Sequence, residues 1–267
     1  MQNEILSKLH GVLLEILDDF IRICEANNLS YFLMGGTLIG AVRHKGFIPW
    51  DDDLDVGMLR SDYEKFIKIF NSIENSKYYL VFMNDPAVFP WIKLCKKNTL
   101  FSEKNYDQSS RNEGIFIDIW VFDNSFMFLL PLQESLLKLL SRIYKQKINM
   151  YTAKNWLIKF PVIILSLFVS KNFCVWFPEK IRRLFNKFNT AYLTNFSSNK
   201  LKEDTYSKKS MFPLTKLLFE DKYYCVPGDY INFLDTCYDN YLELPPVEKQ
   251  VGHLPEYVIF DTTAMDK

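Results

Sequence analysis

Four carboxylates fall within five positions of this sequence, at Asp51, Asp52, Asp53 and Asp55. In the run Asp53-Leu54-Asp55-Val56, acid and apolar residues alternate with period two. On a strand, residues two apart share a face, so Asp53 and Asp55 would project side by side over a packed Leu54 and Val56. Neighbouring carboxylates repel, and burying charge without a partner is costly. A divalent cation removes the conflict, and oxygen-only ligands suit Mg²⁺ or Mn²⁺ better than zinc. The competing reading is a solvated acidic turn, since Pro49-Trp50-Asp51-Asp52 is good turn chemistry.

A glycine pair precedes the acids. Gly35 and Gly36 follow an apolar run ending at Met34, and Thr37 to Arg43 reads as one or two helical turns. A strand, two glycines and a helix start let backbone N–H groups approach an anion, with help from the helix dipole. Thr37 can add a hydroxyl. Arg43, His44 and Lys45 add further donors, two of them fixed cations. The competing reading for this triplet is a solvated helix end, where basic residues are favoured anyway.

A metal that works on a phosphoryl group calls for a third acid. Asp118 is the candidate, as the single charge within the strand-like run Ile115 to Phe122. Asp123, closing that run, reads as a turn residue. A salt bridge to some Lys or Arg is the alternative for Asp118.

The stretch GGTLIGAVRHKGFIPWDDDLDVG (Gly35 to Gly57) resembles the signature of the LicD family. GIFIDIWVFD resembles that family's second motif, and VPGDYINFLDTCYDNYLELPP, from Val226, its C-terminal block. The first motif is long and specific; the third is weaker. The resemblance implies an α+β, nucleotidyltransferase-like fold, a mixed sheet flanked by helices. It implies metal-dependent transfer of a phosphorylated alcohol from a CDP-activated donor to a glycan or lipid-linked glycan. Phosphocholine from CDP-choline is the best-known case, and fukutin-related ribitol-phosphate transferases share the core. The setting implied is modification of a teichoic acid, a lipopolysaccharide or another cell-surface glycan. Carried over by position, Asp53, Asp55 and Asp118 match the family's metal-binding acids. Gly35, Gly36, Thr37, Arg43, His44, Lys45 and Asp51 are the expected substrate-binding residues. Two alternatives remain: a nucleotidyltransferase that releases pyrophosphate, and a membrane-docked module without turnover.

The elements that must position these groups read as follows. Ile5 to Asn27 has helical spacing through Ile5, Leu9, Leu13, Ile16, Phe20 and Ile23. Tyr31 to Met34 begins a sheet. Ser61 with Glu64 reads as a capping box for a helix to about Ile73. Tyr78 to Phe82 and Trp91 to Lys96 read as strands, with Trp91 and Lys93 either facing the site or, the preferred reading, in core or edge positions. Ser102 to Asn112 reads as a loop placed to act as a lid. Pro178 to Phe196 reads as a helix with a solvated basic face, and a last helix spans about Tyr230 to Tyr241. There, Tyr238, Asp239 and Tyr241 are open to substrate contact under the resemblance.

The division expected is a core over 1–125, a helical insertion over 126–209 and a C-terminal segment over 210–267 that completes the core. Residues 135–178 hold no Asp or Glu but seven of the 32 basic residues. The uncharged run between Lys159 and Lys171 has eleven residues, short of the roughly 20 that span a bilayer. This basic, aromatic-rich stretch suits either an anionic membrane surface or a helical subdomain packed inward. Formal net charge is zero, which argues against a nucleic-acid partner. Five scattered cysteines without CxxC spacing suit reduced thiols in the cytoplasm. Glu4, Glu15, Asp18 and Asp19 interrupt any apolar leader. The expected location is cytoplasmic, peripheral to the inner face of the membrane.

Overall fold

The computed structural model describes residues 2–82, 91–102, 114–152, 155–197, 200–252 and 257–262. Two compact units emerge. One combines residues 2–82, 91–121 and 211–262; the other runs from Phe122 to Ser210.

The first unit opens on α1 (Gln2–Ala26). Leu9, Leu13, Ile16, Leu17, Phe20 and Cys24 are buried along one face at helical spacing. Each fully buried large side chain contributes about 1.5–3 kcal/mol. Phe20 meets the edges of Tyr31 and Phe66. Then follow β1 (Phe32–Leu33), α2 (Gly35–Arg43), β2 (Asp55–Leu59) and α3 (Arg60–Asn71). β3 (Tyr78–Phe82), β4 (Trp91–Lys96), β5 (Leu100–Ser102) and β6 (Phe116–Ser125) come next. The sheet order is β1-β2-β6-β4-β3. The β1–β2, β3–β4 and β4–β6 pairs are antiparallel, and β4–β6 sets Lys93 opposite Asp118 and Trp91 opposite Trp120.

The second unit takes up the end of β6. Its helices are α4 (Leu130–Lys147), α5 (Trp156–Phe168) and α6 (Lys171–Arg183). Leu140, Ile143, Val162, Cys174 and Ile181 form their shared core. β7 (Tyr192–Thr194) pairs with residues 123–125 of β6, and β8 (Thr205–Ser207) pairs with β7. A short α7 (Lys208–Met211) leads out. The first unit resumes with the hairpin β9 (Thr215–Phe219) and β10 (Lys222–Val226), then α8 (Tyr230–Asp235). β11 (Tyr257–Ile259) closes on β5. The protein is α+β, with eight α-helices among the described residues.

Several expectations are corrected. The capping box does not form: Leu59 is the N-cap of α3 and gives no side-chain cap, because β2 runs directly into the helix. Asp62 occupies the first turn instead, accepting from the Ser30 N–H at 3.2 Å. Asp123 is not a turn residue. It is fully buried in β6, where the Asn186 amide donates to it. Asn186 also accepts from the Asn124 N–H at 2.7 Å, so a residue inside the expected helix instead ties down a strand. The helix expected from Pro178 to Phe196 is therefore α6, which starts earlier, ends at Arg183 and gives way to β7. α6 runs through Pro178, whose missing N–H costs one backbone bond while its ring is buried. The last helix stops at Asp235. The N–H groups of Cys237 and Tyr238 both turn to the Leu234 carbonyl, and Asn240 is left-handed at φ 51°. Ser102 belongs to β5; the rest of the expected lid, through Asn112, lies outside the described residues.

Candidate active site

Approaching and entering β2, residues 51–56 alternate between half-buried and buried positions. Asp51, Asp53 and Asp55 fall on the half-buried side, while Leu54 and Val56 are fully buried. β2 itself begins only at Asp55, so Asp53 sits in the extended lead-in. Period two still holds there, because the apolar side chains must enter the core.

Asp118 comes from the neighbouring strand. Its N–H donates to the Leu54 carbonyl at 2.9 Å, which fixes it beside the acidic run. Asp118 is half-buried, in contrast to the buried acid the apolar run suggests, and it shares its face of β6 with Trp120. Ile117, Ile119 and Val121 fill the other face, fully buried.

The charges press on one another. Burial, then Asp53, then Asp118 push the Asp55 carboxyl well above the ordinary carboxylate range. Burial, with Asp53 and Asp52 close by, pushes Asp51 up to about 8. One interaction works the other way: the Trp120 indole N–H donates to Asp55 Oδ1 at 2.7 Å and favours the ionised form. Trp120 in turn stacks on Trp91, with ring centroids 4.6 Å apart. Tyr238 joins the site electrostatically. Its hydroxyl is pushed up first by burial, then by Asp55, with smaller contributions from Asp53 and Asp51.

The glycine pair serves these carboxylates directly. Gly35 is left-handed at φ 57°, and a Cβ there would lie 2.5 Å from Asp55 Oδ2. A Cβ on Gly36 would lie 2.7 Å from Asp51 Oδ2. Thr37 is buried, and its Oγ1 accepts from the Asp55 N–H at 2.9 Å, leaving the hydroxyl proton for another acceptor.

The basic triplet divides its work. Arg43 Nη1 donates to the carbonyls of Tyr241 at 2.7 Å and Glu243 at 3.0 Å, tying down the C-terminal segment. Arg43 Nε donates to His44 Nε2, and burial, with that guanidinium beside it, lowers the imidazole's pKa. Lys45 is exposed and left-handed at φ 59°, and its carbonyl accepts from the Glu220 N–H at 2.7 Å.

Among the described residues, no group of three or more His, Cys, Asp or Glu side chains could hold a metal by itself. A Mg²⁺-type cation asks for less: one or two carboxylates, with waters and substrate phosphates completing its shell. The residues present fit such an ion. The donors are all hard oxygens, and Asp51 and Asp55 hold their charge only against strong repulsion.

The sequence pattern left Trp120 unassigned and gave Lys93 a place facing the site only as the less favoured reading. Trp120 was within reach, since period two from Asp118 places it on the same face. Lys93 depends on the β4–β6 register, which no local pattern reveals.

Comparison with known proteins agrees with this geometry. Residues 28–135 match the model of the LicD/FKTN/FKRP nucleotidyltransferase domain. The chain is 29% identical over 259 residues to the lipopolysaccharide cholinephosphotransferase LicD of Haemophilus influenzae, covering 91% of this chain and 93% of that protein. It is 30% identical over 102 residues to the ribitol 5-phosphate transferase FKRP of Mus musculus, covering 38% of this chain and 18% of that protein. The human FKRP is 29% identical over the same length. Residues 28–135, which carry Asp53, Asp55, Asp118 and Trp120, are a LicD-family nucleotidyltransferase domain.

Proposed function

We propose that this protein is a transferase that moves a phosphorylated alcohol onto a glycan hydroxyl, with phosphocholine from CDP-choline as the foremost donor. The acceptor is a cell-surface glycan or its lipid-linked precursor. Two relatives carry names for this class of reaction, cholinephosphotransfer and ribitol 5-phosphate transfer. The observation that carries the reading is the cluster of mutually repelling carboxylates from β2 and β6, gathered at the first turn of α2.

In this reading Asp53 and Asp55 would hold Mg²⁺ or Mn²⁺, which when bound would supply positive charge against the donor phosphates. Trp120 fixes the orientation of the Asp55 carboxylate through its 2.7 Å bond. Thr37 and the first turn of α2 present donors to the phosphates, favoured by the positive end of the helix. Lys45 adds a cation at the rim, while Arg43 holds the 241–243 segment in place. Asp118 takes the proton of the attacking sugar hydroxyl. The hydroxyl oxygen bonds to the phosphorus bearing the alcohol, the bond to CMP breaks, and the proton leaves with the base.

The test is incubation of the purified protein with a panel of CDP-alcohols, Mg²⁺ and a glycan acceptor. CMP release with a phosphorylated glycan product is expected. Pyrophosphate release from a nucleoside triphosphate would instead assign nucleotidyl transfer, and no release from any donor would remove the catalytic reading.

A further inference from the structure

The second unit carries a surface that the chemistry above does not use. α5 is apolar on its outer side as well as at its core contact. Inward, Val162 is buried in the α4–α6 core, and Ser166 is also buried. Outward, Trp156, Leu157, Phe160, Leu167 and Phe168 are exposed, Leu157 at 78% and Phe168 at 82%. Trp176 on α6 adds a half-exposed indole. A helix that only completes a core carries polar residues on its outer side. A contiguous exposed apolar surface marks an interaction site.

Length decides how such a helix can meet a bilayer. The 13 residues of α5 span about 20 Å, short of the roughly 30 Å hydrocarbon core. Among the described residues no single helix is long and apolar enough to cross a membrane, and α5 with α6 is bent by 103°. The geometry suits a helix lying in the interface, its apolar side a few ångströms below the headgroups and Trp156 at their level.

Charge selects the occupant. Residues 135–178 contain no Asp or Glu and seven basic residues. Among them, Arg142 and Lys145 on α4 and Lys171 at the start of α6 are exposed. Lys138 is paired with Glu134, which lies just outside the acid-free stretch. A second copy of the chain would set the same basic surface against itself, at a cost. An anionic phospholipid surface answers both the apolar side chains and the cations.

We infer that α5, within a stretch whose only charged side chains are basic, docks the protein on an anionic membrane surface. The inference rests on the second unit alone and stands or falls independently of the reaction proposed above.

The test is flotation of the full-length protein with vesicles of neutral phosphatidylcholine, and with vesicles that also contain phosphatidylglycerol. Flotation with the anionic vesicles is expected, weakened by added salt. The double variant Leu157→Glu/Phe168→Glu should bind at least roughly tenfold more weakly. Both side chains are exposed, so its circular dichroism and melting temperature should match wild type. Arg142→Glu/Lys145→Glu should lose the preference for anionic over neutral vesicles. Absence of flotation with either vesicle would overturn the inference. So would equal flotation by the Leu157/Phe168 variant, or a dimer in light scattering that this variant dissociates while wild type ignores vesicles.

Discussion

Removing one charge from the acidic cluster should make the metal-free protein more stable. Asp51 is the informative position. Its carboxyl is pushed from an ordinary 3.8 up to about 8 by burial and by Asp53 and Asp52. The folded value lies above the unfolded one. Its contribution to stability is therefore fully present below about 3.8 and is lost as pH rises through about 8. At neutral pH the distance already travelled above 3.8 corresponds to about 4 kcal/mol against folding. Asn keeps the size of Asp and, like the protonated acid, can donate a hydrogen bond to Asp53. The repulsion is shared among several acids that remain, so Asp51→Asn should recover about 1–3 kcal/mol, or about 2–12 °C in melting temperature. The assay is thermal unfolding in EDTA from about pH 4 to about pH 8. The wild-type melting temperature should fall across that range, and that of the variant should fall less. Added Mg²⁺ should raise the wild-type value and narrow the gap. A variant that melts at or below wild type throughout in EDTA would refute the argument that these carboxylates repel one another in the folded protein.

Four further outcomes follow from the same coordinates. Asp55→Asn should fold normally and lose at least about 100-fold in transfer, measured as CMP release; wild-type turnover would remove Asp55 from the mechanism. Trp120→Phe keeps the stack on Trp91 but deletes the bond to Asp55 Oδ1, so kcat should fall by about 10- to 100-fold with little change in melting temperature. Arg43→Met removes the donor to the Tyr241 and Glu243 carbonyls and should cost about 1–3 kcal/mol in denaturant unfolding, with faster proteolysis near those residues. His10 stacks on Phe47, its Nε2–H donates to the Asp51 carbonyl, and burial lowers its pKa below 6.5. Its contribution to stability is present above 6.5 and lost as pH falls through the lowered value, so His10→Gln should flatten that part of the stability profile.

The first unit was largely legible because its signals are local. Helical spacing marks α1, and the acid–apolar alternation at 53–56 marks the side of β2 that carries the charge. What stayed hidden depended on strand partners. The pairing of β7 with β6 turns Asp123 from a turn residue into a buried acceptor. It also breaks the helix expected through Phe196. Polar residues such as Asn186 and Thr190 give no local signal of their role because their partners lie about sixty residues away. Arg43 presents the same difficulty, as its acceptors lie 198 and 200 residues further on. A charge pattern gives the sign of a side chain but not its destination.

The glycine pair shows how a correct local reading can still miss the physical cause. Two adjacent glycines before a helix suggest backbone bared for a phosphate. Here the space that Cβ atoms would fill is taken by the carboxylates of Asp55 and Asp51. The chain has only nine glycines, and two of them stand where an L side chain would push these acids off the start of α2. The positive end of that helix favours an anion in either case. The protein's own carboxylates already lie against it, so in the proposed reading one element would both hold the acids and face a phosphate. Such a cluster of acids would repel an anionic donor of the kind proposed above unless a cation accompanied it. The glycines, the acids and Trp120 therefore act as one unit: widening the α2 turn with Gly36→Ala would displace Asp51, and with it one of the groups that oppose ionisation of Asp55, against which the Trp120 bond works.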